Sequence, residues 1–190
     1  APDGAKYRFD KQHLVPFGEF VPAGFRWFVD MMAIPLGDFK RGAAVQAPFA
    51  VKDQYVLPNV CYEDAFGEEI ALQLRASATP ATMLLNASNL AWYGESVAIP
   101  QHLQISRMRA VETGRPMLRA TNSGATAVID PHGVVLAALP AYQRGVLSAR
   151  VQGMRGNTPY ILFGNLLFLT LGALALAAAW WRGKTARRQA

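Results

Sequence analysis

The chain has 190 residues and a mass of 20.7 kDa, which suits one folded domain of ordinary size. Hydrophobic residues make up 52% and charged residues 17%, which excludes a disordered protein, because such chains have few apolar residues and many charges. The net charge of +6 is concentrated in the last nine residues, so the remainder is nearly balanced and does not indicate a nucleic-acid partner. The single cysteine, Cys61, excludes an internal disulfide framework and any metal site built from several cysteines.

Predicted strands and helices alternate through the middle of the chain. Short apolar runs indicate strands, helical spacing of apolar residues indicates helices, and Asp130-Pro131-His132-Gly133 indicates a turn. The predicted elements are a strand at 55–60, a helix at 66–77, a strand at 82–87, a helix at 99–112, and strands at 117–121, 125–130, 134–139 and 144–151. This order predicts an α/β layered domain over residues 1–155.

Residues 160–181 form an uncharged apolar segment with Tyr160, Trp180 and Trp181 at its ends. A helix of this length reaches about 30 Å, which matches the hydrocarbon core of a bilayer, and aromatic ends favour its interfaces. We therefore predict a transmembrane helix rather than a buried core helix. The tail at 182–190 carries four cations and no acid, so we expect a cytoplasmic C-terminus and residues 1–155 on the extracytoplasmic side.

The N-terminal residues do not resemble a secretory signal. Residues 1–10 are polar, and the sequence has no initiator methionine. A chain that must cross a membrane needs such a signal or a preceding span, so we expect these residues to be part of a longer protein.

Cys61 lies between a predicted strand and a predicted helix. Such a turn presents its side chain at the carboxyl edge of a sheet, where α/β proteins bind ligands, and a nearby helix N-terminus favours a thiolate. Glu63 and Asp64 would raise the pKa of the thiol unless a cation offsets them. The alternative interpretation is a buried, unreactive cysteine.

Residues 10–19 contain a second group of candidate side chains. Lys11 could supply the cation that Cys61 needs, since an ammonium lowers the pKa of a thiol and stabilises an oxyanion. His13 could instead be the base of a Cys/His pair, and spacing does not choose between them. For both residues the alternative is a solvated surface position. His102, on a predicted helix, and His132, in a turn, are expected to be structural or exposed.

Two further segments are candidates for contact with substrate. Residues 86–96, which include Asn89 and Trp92, form a polar and aromatic loop after a strand and are either a pocket wall or an ordinary turn. Residues 20–39 are rich in Phe, Trp and Met. Beside a membrane anchor this segment either enters the lipid interface or receives acyl chains, or it packs as an arm of the core.

Three motifs in order resemble bacterial apolipoprotein N-acyltransferases, membrane enzymes with a nitrilase-like (carbon–nitrogen hydrolase) domain. They are KQHLVPFGE from Lys11 to Glu19, NVCYE around Cys61, and RPMLRATNSG at 115–124 followed by AVID at 127–130. The resemblance implies an α/β protein with part of a nitrilase-like αββα sandwich followed by one C-terminal transmembrane helix.

The family's catalytic triad is Glu, Lys and Cys. By resemblance, Cys61 is the nucleophile, Lys11 is the triad lysine, and Glu19 is a second functional glutamate. Tyr62 and Glu63 would support the site, and Asn89 and Trp92 would belong to its pocket. The triad glutamate lies upstream of the lysine in the family, whereas Glu19 is the first glutamate here. The 190 residues alone are therefore expected to be inactive.

Two smaller departures from the family pattern concern the pocket. Leu90 stands where the family commonly has Asp, and Ala125 replaces a larger apolar residue.

The resemblance implies a two-step acyl transfer at the bacterial inner membrane. Cys61 would take an acyl chain from a phospholipid as a thioester, and the α-amine of a diacylglyceryl-cysteine at a lipoprotein N-terminus would then accept it. No metal or cofactor is implied. The alternatives are a membrane-tethered carbon–nitrogen hydrolase acting on small amides and a non-catalytic module that binds lipid or lipoprotein.

Overall fold

One six-stranded mixed sheet organises the chain in the computed structural model, which describes residues 6–31 and 39–189. The strands, which lie in the sheet in chain order, are β1 (Phe49–Val51), β2 (Gln54–Val60), β3 (Met83–Ser88), β4 (Met117–Thr121), β5 (Ala127–Ile129) and β6 (Val135–Ala138). The three central strands, β2 to β4, are parallel, and the flanking strands pair antiparallel.

Helices cover one face of this sheet and form the core with it. The α-helices are α1 (Arg26–Met31), α2 (Gly67–Ala76), α3 (Ala98–Thr113), α4 (Pro159–Phe163) and α5 (Leu166–Gln189). Ile70 and Leu74 of α2, Ala110 of α3 and Ile161 of α4 pack on a row of strand residues that includes Leu84. Each large apolar side chain buried in this way contributes roughly 1.5–3 kcal/mol.

The opposite face of the sheet is also apolar. Pro58, Leu85 and Leu118 stand in register across β2, β3 and β4 and are half-buried. Parallel strands that are apolar on both sides are typical of sheets covered on both faces. The predicted α/β order is therefore confirmed as one helix-covered sheet, and the described residues contain no second sheet.

Most predicted elements agree with the structure to within about two residues. The turn after Asp130 is also as expected, because Gly133 has φ +78° and its N–H donates to the carbonyl of Asp130 at 3.0 Å. The strand predicted at 144–151 is wrong, since this segment has no regular structure and pairs with no described strand. Apolar alternation makes a strand only where a sheet edge accepts it.

The predicted single helix at 160–181 is two helices in the structure. Gly164, with φ +55°, and Asn165 separate α4 from α5. Thr158 begins α4 by accepting a hydrogen bond from the N–H of Ile161 at 3.1 Å, and Ile161 is fully buried. The domain therefore extends beyond residue 155, because α4 belongs to its core.

The membrane prediction is not confirmed. Among the residues described, no helix combines the length and the hydropathy needed to span a bilayer. Residues 32–38 of the predicted aromatic segment, residues 1–5 and the terminal Ala190 lie outside the described residues.

Candidate active site

The carboxyl ends of the three parallel strands meet at one edge of the sheet, and polar residues follow each of them. Cys61 follows β2, Asn89 follows β3 and Asn122 follows β4. The sulfur of Cys61 lies 4.0 Å from the carbonyl oxygen of Asn89, and the amide of Asn122 donates to Asn89 Oδ1 at 2.7 Å. This is the edge at which α/β proteins place their ligand sites.

Cys61 has an unusual backbone conformation. Its φ of +53° is in the left-handed region, which costs a residue with a β-carbon roughly 1–3 kcal/mol. The amide of the fully buried Asn86 donates to the carbonyl of Cys61 at 3.0 Å and to Asn59 Oδ1 at 2.6 Å. These bonds hold the turn in its strained form, and strain of this kind is typical of functional positions.

Lys11 and Glu19 form a close ion pair. The ammonium Nζ lies 2.8 and 2.7 Å from the two carboxylate oxygens, and the Lys11 side chain is 12% exposed. The N–H of Val15 also donates to Glu19 Oε2, at 2.8 Å. The Glu19 carboxylate therefore binds both the turn backbone and the Lys11 ammonium, which fixes the orientation of the Lys11 side chain.

Glu63 joins the lysine segment to the cysteine turn. Its carboxylate is 5% exposed and accepts three backbone hydrogen bonds. Two come from the N–H groups of Gln12 and His13, at 2.6 and 3.0 Å, and the third comes from Val60 at 2.6 Å. One side chain thus holds Lys11 and Cys61 in the same site, although fifty residues separate them.

His102 is buried and is one of the groups that act on the Cys61 thiol. The pKa of the Cys61 thiol lies below its ordinary value, first because of a hydrogen bond with His102. The charges of Lys11 and His102 and the N–H of Tyr62 act in the same direction, and partial burial opposes them. His102, expected to be structural or exposed, is buried in the structure.

His13, the other candidate base, has different partners. Its Nδ1 lies 2.8 Å from Glu69 Oε1, and its ring stacks on Phe66 with centroids 3.5 Å apart. Spacing along the chain missed His102 because its approach to Asp64, in the turn after β2, is a tertiary contact. The available signal was the buried face of the predicted helix, where His102 and Ser106 are four residues apart.

A buried ion pair lies behind His102. Arg119 Nη1 donates to Asp64 Oδ2 at 3.0 Å, and the hydroxyl of Ser106 donates to the same oxygen at 2.6 Å. His102 Nδ1 is 3.3 Å from that oxygen. Burial lowers the pKa of His102, but its hydrogen bonds to Asp64 and Cys61 and the charge of Asp64 outweigh burial and raise the pKa to about 9.

Tyr62 and Trp92, the remaining predicted residues, differ in their surroundings. Tyr62 packs its ring edge to face with Phe66, with centroids 4.9 Å apart. Trp92 lies on a short 3-10 helix, Ala91–Tyr93, and is 85% exposed. Within the described ranges, no group of three or more His, Cys, Asp or Glu side chains is arranged to hold a metal ion.

Similar proteins are found over almost the whole chain. An apolipoprotein N-acyltransferase of Ralstonia nicotianae is 61% identical over 180 residues, covering 95% of this chain and 34% of the relative. One of Bordetella bronchiseptica is 56% identical over 184 residues, with the same two coverages. The chain thus spans about a third of the length of the curated relatives it matches.

Comparison with solved structures and family models gives two further findings. The C. elegans NitFhit protein aligns with a TM-score of 0.49 at 20% identity, covering 70% of this chain and 31% of that one. The family model of the carbon–nitrogen hydrolases matches residues 3–160, which is well over half of the chain and contains Lys11, Cys61 and His102. The chain belongs to the carbon–nitrogen hydrolase family.

Proposed function

We propose that the protein carries the reaction centre of an apolipoprotein N-acyltransferase. In this reaction Cys61 takes an acyl chain from a phospholipid and passes it to the α-amine of the diacylglyceryl-cysteine that begins a lipoprotein. The names of the relatives that are 56–61% identical support this reaction. The geometry around Cys61 supports the chemistry that it requires.

In the first step the thiolate attacks the carbonyl carbon of the phospholipid ester. A carbon–sulfur bond forms, the ester carbon–oxygen bond breaks, and the lysophospholipid leaves as an alcohol after taking up a proton. In the second step the amine attacks the thioester, loses a proton and releases the thiolate. A covalent intermediate divides one difficult exchange into two easier ones.

Both steps pass through an oxyanion, which needs positive charge or hydrogen-bond donors close to it. The ammonium of Lys11 is fixed in direction by Glu19 and in position by the Glu63 bonds to Gln12 and His13. It can therefore stabilise the oxyanion without reorganising during the reaction. Backbone N–H groups beside Cys61 are the second source of donors.

One observation carries the proposal: the cysteine has a strained backbone, and its pKa is lowered in part by the charge of a lysine that a carboxylate holds in place. An ordinary thiol is only a few per cent ionised at neutral pH and attacks an ester slowly. A buried, unreactive cysteine would need neither a positive φ nor a lowered pKa.

We also propose that α5 lies in the membrane that holds both lipid substrates. Apolar side chains are exposed along this helix, from Leu166 to Trp181, and Lys184 Nζ lies 3.8 Å from the ring centroid of Trp180. Tryptophan beside a cation is typical of a lipid interface. In this proposal the domain lies outside the cytoplasmic membrane and the C-terminus is cytoplasmic.

The test of the reaction uses the natural full-length protein in phosphatidylethanolamine vesicles. Mass spectrometry should find an acyl group on the peptide that contains Cys61, bound as a thioester that hydroxylamine cleaves. A peptide that begins with diacylglyceryl-cysteine should remove this acyl group, and the Cys61→Ala variant should acquire none. Unmodified Cys61 in every trapped reaction overturns the proposal, and rapid hydrolysis of small amides without lipid favours an amidase.

A separate experiment tests the location. A membrane-impermeant maleimide should label Cys61 in intact spheroplasts, because the site is proposed to face outward. Labelling of the Cys61 peptide only after the cells are permeabilised refutes this orientation and leaves the reaction untouched.

A further inference from the structure

Two consecutive carboxylates bind the turn that begins with Cys61, and the proposed chemistry uses only one of them. The turn is the 3-10 helix Cys61–Ala65. Glu63 connects it to the lysine segment. Asp64 is completely buried and instead accepts hydrogen bonds from Arg119 of β4 and Ser106 of α3. The second carboxylate therefore connects the turn to the sheet and to a helix.

We propose that Asp64 and Arg119 are positioning residues for Cys61. Their ion pair fixes the turn against β4 and α3, so that the sulfur keeps the place from which it attacks an ester carbonyl. The inference rests on the proposed function, in which Cys61 is the nucleophile. The two residues are 0% and 3% exposed, so they act through the turn rather than on a substrate.

The connection between the ion pair and the sulfur is short. Asp64 belongs to the same five-residue helix as Cys61, and its Oδ2 lies 3.0 Å from Arg119 Nη1 and 2.6 Å from the hydroxyl of Ser106. A 3-10 helix of this length has few internal hydrogen bonds, and their geometry is poor. Its position therefore depends on side chains that bind it to longer elements, as Asp64 does.

Arg119 connects two strained parts of the carboxyl edge of the sheet. Besides Asp64, it binds the carbonyl of Ala125 through Nε at 3.1 Å and the carbonyl of His102 through Nη1 at 3.2 Å. Ala125 has φ +60° and Cys61 has φ +53°, and residues with a β-carbon keep such angles only where the surrounding structure fixes them. One rigid guanidinium thus binds both the turn of the cysteine and the turn after β4.

A contribution to stability does not explain this ion pair. Burying two charges has a desolvation cost that can exceed their attraction, and apolar side chains of similar size often replace such pairs without loss of stability. Within the part of the chain that the structure describes, Asp64 Oδ1 and Arg119 Nη2 are buried and have no hydrogen-bond partner. A pair that uses its hydrogen-bonding groups incompletely, but fixes one geometry, fits a positioning role.

The test compares two reactions of Cys61 in the natural full-length protein, in detergent and at one pH. A p-nitrophenyl ester acylates the thiolate through an oxyanion, whereas iodoacetamide alkylates it by direct displacement. Both rates depend on the amount of thiolate, so their ratio does not follow the pKa of the thiol. The ratio reports whether the sulfur is correctly placed relative to the groups that stabilise the oxyanion. Nitrophenolate released in the first turnover, less that of Cys61→Ala, gives the acylation rate.

In the double variant Asp64→Leu/Arg119→Met, an apolar pair replaces the ion pair, so the protein should still fold. The ratio of acylation to alkylation should fall at least about tenfold, because a small displacement of a reacting group is costly. The matched control is Arg109→Met/Glu112→Leu, which removes another largely buried ion pair, at 2.9 Å. Since both ends of that pair lie on α3 and neither is in the turn, the ratio should not change.

A milder variant keeps the test decisive if the double variant does not fold. Ser106→Ala removes one donor to Asp64 Oδ2 and should lower the ratio about threefold. Thr113→Val, which removes the other hydroxyl of α3, should leave it unchanged. If Asp64 and Arg119 only stabilised the fold, every folded variant would have the natural ratio. An unchanged ratio in folded Asp64→Leu/Arg119→Met or in Ser106→Ala therefore overturns the inference.

Neither reagent is a lipid, which separates this inference from the proposed function. A lowered ratio in a protein whose Cys61 is never acylated by phospholipid refutes the proposed function alone. Acylation by phospholipid together with unchanged ratios refutes only the positioning role of Asp64 and Arg119.

Discussion

Glu63→Gln tests the claim that one carboxylate holds the two halves of the site together. A glutamine has one acceptor oxygen and one donor nitrogen, whereas the carboxylate accepts from Gln12, His13 and Val60. Gln12 and His13 share Oε1 and Val60 uses Oε2, so the amide must turn its nitrogen toward at least one backbone N–H. At least one buried donor therefore loses its partner.

The expected loss of stability follows from these bonds. An unsatisfied buried donor costs about 1–3 kcal/mol, and the bonds that remain lose the charge of their acceptor. Glu63→Gln should therefore lower the free energy of unfolding by about 2–4 kcal/mol, measured by urea denaturation in detergent. Lys11 should also lose its position, which slows alkylation of Cys61. Glu95→Gln, at an exposed position, is the control. A loss for Glu63→Gln within about 0.5 kcal/mol of this control would refute the reasoning.

Three further predictions concern the same site. Gly42→Ala should lower the melting temperature and slow alkylation of Cys61, because its β-carbon would clash with the carbonyl group of Asp10, next to Lys11; Gly172→Ala, in open space, should lower neither. Cys61→Gly should be more stable than Cys61→Ala by about 1 kcal/mol, since glycine adopts positive φ without strain, and the opposite order would contradict the strained turn. The pKa of His102 is raised from 6.5 to about 9, so its contribution to stability should be complete below pH 6.5 and lost as pH rises through about 9. Urea denaturation should show this loss in the natural protein and not in His102→Gln.

Local patterns predicted the parts of the fold and site that depend on neighbouring residues. The apolar runs that became β2 and β3 and the helical spacing of α3 are of this kind. Lys11 and Glu19 are eight residues apart in one motif, and a single turn brings them into contact. The split at Gly164 was missed because hydropathy does not distinguish a residue in a domain core, such as Ile161, from one facing lipid.

The partners of the charged residues near Cys61 could not be predicted from the sequence, because they come from distant parts of the chain. From the sequence, Glu63 and Asp64 were expected to raise the pKa of the thiol. In the structure, backbone N–H groups from a distant loop bind the first carboxylate, and Arg119 and Ser106 bind the second. His102 comes within 3.3 Å of Asp64 only because α3 packs beside the turn that carries that carboxylate. Tertiary contacts of this kind leave no periodicity in the chain.

The link between α4 and α5 limits how far the reaction centre can travel. Arg75 Nη1 donates to the carbonyl of Ile161 at 3.2 Å, and the N–H of Asn165 donates to Glu68 Oε1 at 3.1 Å. Two residues of α2 therefore form hydrogen bonds with the chain on both sides of Gly164. Even fully stretched, the two linking residues would add only about 7 Å. If α5 is immersed in lipid, the sulfur works at a nearly constant height above the headgroups. The α-amine of the lipoprotein must then reach the same distance from the membrane. This favours acceptors with a flexible segment directly after the lipidated residue.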